Sequence, residues 1–257
     1  MIQIETLEIA GFRPAIRGMR NPLNSWERSD SVTCAREMLE YDGCPRTDFS
    51  EDPCVCHEGK HGFCLGVKDA KLAHDLAKGG PVHAKYRRMI NVYADIVAPL
   101  YWWKEFDTYR VGVEKNSCST MHTITNRPFS FEDFSTDHLG VWKSVKDTDG
   151  VERAYCYGDW PEIMDRVIVS LNKARAQYMA EVDPVIKKQY WWQIIQLLPS
   201  SYNQRRTVMM SYEALSHMYT DRRLHKLNEW RKFCEWVTEL PYFGEIIMPV
   251  VDPSDKG

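Results

Sequence analysis

The run from Met89 to Ala98 limits the fold more than any other segment of the chain. Ile90, Val92, Tyr93, Ile96 and Val97 crowd into it, and it ends at Pro99. So many β-branched and aromatic residues in a short run favour a buried strand, and a proline at its end stops the hydrogen-bonded ladder. Leu100-Tyr101-Trp102-Trp103 follows at once, which predicts a short aromatic helix from Pro99 to Lys104. A buried strand needs pairing neighbours and cover, so the chain must build a sheet and pack helices on it.

Other segments supply both. Ile4, Leu7 and Ile9 predict a strand over Gln3–Ala10, and the stretch Gly11–Ser31 is polar with Gly, Asn and Pro. Leu72 and Leu76, four apart, predict a helix over Asp69–Lys78 that stops at Gly79-Gly80. Asp107–Val113 is expected to return as extended chain. The second half is expected to be mainly helical. Asp159-Trp160-Pro161 has the form of a helix start, with Ile163, Val167, Leu171, Ala174 and Tyr178 on one face. Further helices are expected from Pro184 to about Leu198, from about Arg205 to Leu227 and from Glu229 to Leu240. The predicted class is therefore α/β (α+β), with a central mixed or antiparallel sheet, long helices and a helical C-terminal half. A length of 257 residues suits one domain, 1–257, with a Cys/His-rich inserted loop at about 41–66.

The charge balance sets bounds on partners. A net charge of −3 gives no field to draw the chain to nucleic acid or an anionic membrane. Any anionic ligand must be held by a local pocket. Glu5 and Glu8 break the layout of a signal peptide, and no apolar run reaches the roughly 20 residues that span a bilayer. The expectation is a cytoplasmic protein with no membrane partner and with its 8 cysteines reduced.

Cys44, Cys54, Cys56, His57, His61 and Cys64 are a candidate zinc set, since zinc takes about four N or S ligands. The paired Cys-x-x-Cys spacing is missing, so no metal is the favoured reading, and a zinc here would staple a loop. Bland readings stand beside the other candidates. His83 and His225 can be structural histidines, Arg110 can pair with Glu105 or Asp107, and the aromatics after Pro99 can be core.

Two blocks carry a family resemblance. "HAKYRRMINVYADIVAPLYWWKEFDTYRVGVEKNSCSTMH" lies within Gly80–His122, and "LLPSSYNQRRTVMMSYEALSHMYTDRRLHKLNEWR" covers Leu197–Arg231. In this order they resemble the flavin-dependent thymidylate synthases, which methylate dUMP with FAD, NADPH and methylene-tetrahydrofolate and are homotetramers. The resemblance implies that fold and a small-molecule nucleotide substrate. It implies cofactor-binding roles for His83, Lys85, Tyr109, Arg110, Asn116 and His225, with Arg110 facing the reduced flavin. It implies substrate-binding roles for Lys104, Glu105, Ser117, Ser119, Thr120 and Arg222, and catalytic roles for Ser119 and Arg110.

The chain departs from the family pattern at Thr108, Tyr109, Ser117 and Met121. The last replaces an arginine that helps bind the dUMP phosphate, and methionine offers neither charge nor donor there. Lys104, Arg87, Arg88, Arg222 and Arg223 are the nearby cations that could substitute. The alternatives to dUMP methylation are a same-fold flavoprotein acting on another nucleotide, an inactive relative, or a zinc-stabilised scaffold.

Overall fold

The structure is a computed structural model, and it describes residues 2–33, 62–146, 148–157 and 160–248. Their packing forms two compact units, and the chain passes between them at Ile96–Val97, Phe106–Asp107, Asn116–Ser117 and Arg205–Arg206.

The larger unit carries most of a four-stranded sheet. In chain order its strands are β1 (Gln3–Ala10), β4 (Asn91–Pro99), β5 (Val113–Ser117) and β8 (Asn203–Ser211), and they are arranged β1-β4-β8-β5. A short antiparallel pair, β2 (Val32–Thr33) and β3 (Phe63–Cys64), aligns Val32 with Cys64. Within β4, Val92, Ala94 and Ile96 are wholly buried, as the period of two requires. The expected strand is therefore present, shifted two residues at its start.

Four helices complete this unit: α1 (Phe12–Arg20), α2 (Val67–Lys78), α7 (Tyr212–Arg222) and α8 (Asn228–Thr238). The stretch read as merely polar hides α1. Phe12, Ala15, Ile16 and Met19 recur at helical spacing and are buried. Gly11 precedes them at φ 98°, where a Cβ would lie 1.9 Å from the Met89 carbonyl oxygen, so only glycine permits this entry. Phe12 stacks on Phe63 at 5.5 Å and meets Tyr212 and Tyr242 edge-on.

The chain read as one helix from Arg205 to Leu227 divides. Gln204, Val208 and Met210 are buried and alternate with exposed Arg205 and Thr207, which makes β8 a strand. Ser211 then caps α7, its Oγ accepting the Ala214 N–H at 3.2 Å. Asp107–Gly112 is likewise a turn, and the extended chain begins at Val113.

The smaller unit is mainly helical. It holds α3 (Leu100–Phe106), the single turn α4 (Thr120–Thr123), the long α5 (Trp160–Ala180) and α6 (Pro184–Leu197). A β-hairpin, β6 (Val141–Lys146) and β7 (Glu152–Tyr157), is antiparallel and was not expected from the sequence. Trp102, Trp103 and Phe106 are buried on α3, and Trp103 Nε1 donates to the Gln204 carbonyl at 2.9 Å. The core reading of these aromatics holds. Asp183 caps α6 by accepting the N–H groups of Val185 and Ile186, with Pro184 in its first turn.

The apolar face of α5 is turned from the expected one at its start. Met164, Ile168, Leu171 and Ala174 pack with Ile194 of α6 and with Phe129 and Phe134, while Ile163 is 48% exposed. Among the described residues no helix is long and apolar enough to cross a membrane.

Candidate functional site

The expected site residues fall in three places, two in the larger unit, where contacts or a shared cavity join them, and one in the smaller. The first group forms where the end of α7 approaches the turn after α3. Arg222 Nε donates to the Tyr109 hydroxyl at 2.9 Å, and its guanidinium lies 4.9 Å from the Trp230 ring and 5.6 Å from the Tyr109 ring. A planar, weakly hydrated cation is well suited to lie against two aromatic faces. The Tyr109 hydroxyl donates to Asp221 Oδ2 at 3.3 Å. Burial raises the Tyr109 pKa, and the Arg222 contacts oppose that rise without cancelling it. His225 lies edge-on to Trp230 at 6.3 Å, and its Nδ1 accepts the Leu227 N–H at 3.2 Å. In a neutral ring that bond leaves the proton on Nε2.

On the same segment as Tyr109, Arg110 and Asn116 are exposed. The bland pairing of Arg110 with Asp107 is not formed, because Asp107 Oδ1 receives Lys115 Nζ at 2.8 Å and Arg206 Nη1 at 2.9 Å.

The second group lines a cavity of about 570 Å³ beside α1. His83 and Lys85 meet there with Arg17, Asn21 and Met89, and Tyr86 forms part of the apolar wall. A volume of this size is typical of small-molecule and cofactor sites. Arg87 and Arg88 follow in sequence, but their heads are engaged. Arg87 Nη2 donates to the Ile247 carbonyl at 2.5 Å, and Arg88 grips the Glu213 carboxylate with both Nε and Nη2.

The third group is in the smaller unit. Lys104 is exposed and Glu105 half-buried on α3. Ser117 is exposed at the end of β5, and Ser119 sits at the start of α4 with its carbonyl accepting Thr123 Oγ1 at 2.7 Å. Thr120 is half-buried and Met121 is 51% exposed.

No protein-family model matches the chain, and no curated protein does. Solved structures do. Thymidylate synthase ThyX from Helicobacter pylori, in a structure with FAD and dUMP, is 15% identical, and the alignment covers 96% of this chain and 97% of that one with a TM-score of 0.57. The UMP/dUMP methylase PolB from Streptomyces cacaoi, bound with 5-Br dUMP, is 14% identical, with 98% of both chains covered and a TM-score of 0.53. The chain has the flavin-dependent thymidylate synthase fold. The resemblance read from two blocks thus extends, as a fold, over nearly the whole chain.

Within this thymidylate synthase fold, several residues besides the expected ones shape the candidate site. Arg17, Asn21 and Met89 share the cavity of His83 and Lys85, and were not expected there because α1 was not recognised. The signal was present in the spacing of Phe12, Ala15, Ile16 and Met19, obscured by Pro14 and Gly18. Trp230 was read only as part of a helix, yet it is wholly buried and carries Arg222 on its face. Of the zinc candidates, Cys64 is buried in β3. Cys44, Cys54, Cys56, His57 and His61 lie outside the described residues.

Proposed function

We propose that this chain is a flavin-dependent nucleotide methylase that converts a deoxyuridine nucleotide (dUMP to dTMP) with FAD, NADPH and methylene-tetrahydrofolate as a homotetramer. One observation carries the reading: the chain aligns over nearly its full length with two nucleotide-binding methylases, one of them holding FAD and dUMP. The site chemistry supports it. The 570 Å³ cavity joins apolar walls, including Met19, Leu76 and Tyr86, to the cations Arg17 and Lys85. That combination fits a planar ring system with an anionic tail.

In this reading the cavity holds the flavin. His83 and Asn21 present hydrogen-bonding edges to it, and Lys85 complements its negative charge. Arg110 and Asn116 serve the reduced ring, Tyr109 and His225 bound the cofactor, and Arg222 is presented to the substrate by its two aromatic faces. Lys104, Glu105, Ser117, Ser119 and Thr120 supply the nucleotide contacts of the smaller unit, with Ser119 toward the uracil. Bound flavin would supply the electron-transfer chemistry. The chain's own residues bind and orient the reactants, so no strong nucleophile is required.

A second reading, a same-fold flavoprotein acting on a different nucleotide, rests on a departure from the family's substrate contacts. Met121 stands where the resembling family has a phosphate-binding arginine, and Arg87 and Arg88, two of the cations that could substitute for it, are already committed to Ile247 and Glu213. The near-ultraviolet and visible spectrum of the purified protein, titrated with FAD in the presence of dUMP, UMP or neither, tests both readings. Flavin uptake that responds to dUMP supports the first, and a response to UMP alone supports the second. Absence of flavin uptake under all three conditions overturns both.

A further inference from the structure

On the other side of α1 lies a smaller cavity, of about 200 Å³, lined by Arg13, Arg17, Arg20, Ser29, Ser31 and Thr33 among others. We propose that it is a binding site for a phosphate group, sharing only Arg17 with the lining of the larger cavity and not dependent on the methylase reading.

The charge count around the cavity favours an anion. Arg13, Arg17 and Arg20 are spaced i, i+4 and i+7, which sets them along one helical face. Arg20 is neutralised, its Nε donating to the buried Asp69 at 2.5 Å. Asp69 is also the acceptor for the hydroxyls of Ser29 and Ser31, at 2.7 and 2.6 Å, so this carboxylate is spent on holding the wall. Among the described residues Arg13 and Arg17 form no ion pair and no carboxylate lines the cavity. Two guanidinium groups thus face a small space with no counter-charge among the described residues.

The wall is also set in advance. Trp26 is fixed by donation from its Nε1 to Asn21 Oδ1 at 2.8 Å, and Arg17 lies over that ring at 5.1 Å. A guanidinium stacked by its face keeps its N–H donors around its edge, where they can grip an oxyanion in a bidentate fashion. The volume, equal to several waters, admits a phosphate or the head of a phosphomonoester and excludes a whole nucleotide. Two forks and the hydroxyl of Thr33 suit a tetrahedral dianion better than a carboxylate.

The test measures ³¹P line broadening and the thermal unfolding midpoint with inorganic phosphate, against sodium chloride at equal ionic strength. Phosphate should broaden and raise the midpoint at millimolar concentrations, and chloride should do neither. Arg13→Gln, an exposed position outside the flavin cavity, should weaken binding by about tenfold or more, the loss of a charge-assisted pair. Lys188→Gln, which removes the same charge from α6, should leave binding unchanged. Arg13→Lys keeps the charge without the fork and should bind several-fold more weakly than the native protein. Ribose 5-phosphate distinguishes the source: tighter binding than inorganic phosphate assigns an ester, and equal binding assigns the free ion. A phosphate response matched by chloride, or retained in full by Arg13→Gln, overturns the proposal. Because the readout needs neither flavin nor turnover, its failure is distinct from failure of the methylase reading.

Discussion

Asp69 stays charged at full burial because donors converge on it. Arg20 Nε, both Ser29 and Ser31 hydroxyls and the N–H groups of Asp30 and Ser31 all point at its two oxygens. Desolvation acts to raise its pKa, and the hydrogen bonds and the Arg20 charge together bring it below the ordinary carboxylate value. Asp69→Asn keeps the shape but leaves Arg20 charged and without its partner in the interior. The expected loss is about 3–5 kcal/mol, the usual range for breaking one side of a buried pair, measured by urea unfolding. A loss under about 1 kcal/mol would show that solvent reaches Arg20. The cysteines differ in the same way by environment. Burial pushes the Cys234 thiol to about 12, while Cys118 is exposed. Brief alkylation of the native protein at neutral pH should modify Cys118 and spare Cys64 and Cys234, as read by peptide mass spectrometry. Modification of Cys234 at a rate like that of Cys118 would contradict its packing.

At the scale of elements, legibility followed local patterning. β4 and α2 were readable because apolar period and breaker agree within each segment, and α6 because Asp183 and Pro184 mark its start. β8 was misread because Val208, Tyr212, Leu215 and Tyr219 keep helical spacing across a boundary that is set by Ser211. That boundary depends on Gly112, which no sequence pattern marked. Gly112 has φ +70°, and a Cβ there would lie 2.4 Å from Ser211 Oγ, the atom that caps α7. The Gly112 carbonyl also accepts the Ser211 N–H at 2.8 Å. Gly112→Ala therefore combines left-handed strain with a disturbed cap and should cost about 2–4 kcal/mol. Gly150, at φ +77° with nothing within 4 Å of the place a methyl group would take, isolates the strain alone. Gly150→Ala should cost about 1 kcal/mol, so similar losses in the two variants would rule out the steric part of the argument. The site was legible to a lesser degree than the fold. Tyr109, Arg222 and His225 were named singly, but the ring of Trp230 that gathers Arg222 and His225 is a tertiary fact.

Across the whole molecule, the same buried groups bound the pH range of stability. Asp69 has a folded pKa below its ordinary value, so its contribution is present above the unfolded carboxylate value of 3.8 and is lost as pH falls through the lower folded one. The alkaline limit has the opposite form. Burial raises Tyr86 from 10.0 to about 12, with Arg87 opposing, and raises the buried Tyr212 well above 10.0. Unfolding frees these phenols to ionise, so their contribution is complete below pH 10 and declines as pH rises toward 12. Stability should thus be level between these limits and fall steeply beyond each. Tyr86→Phe separates one contributor, since its hydroxyl donates only to the Ala73 carbonyl, at 2.8 Å. At neutral pH the variant should lose about 1 kcal/mol with that bond. Between pH 10 and 12 its stability should fall less steeply than that of the native protein, because one buried phenol no longer has to remain protonated. Urea midpoints at about pH 7, 10 and 11.5 measure both effects, and an unchanged alkaline slope in Tyr86→Phe would assign the alkaline limit to other groups.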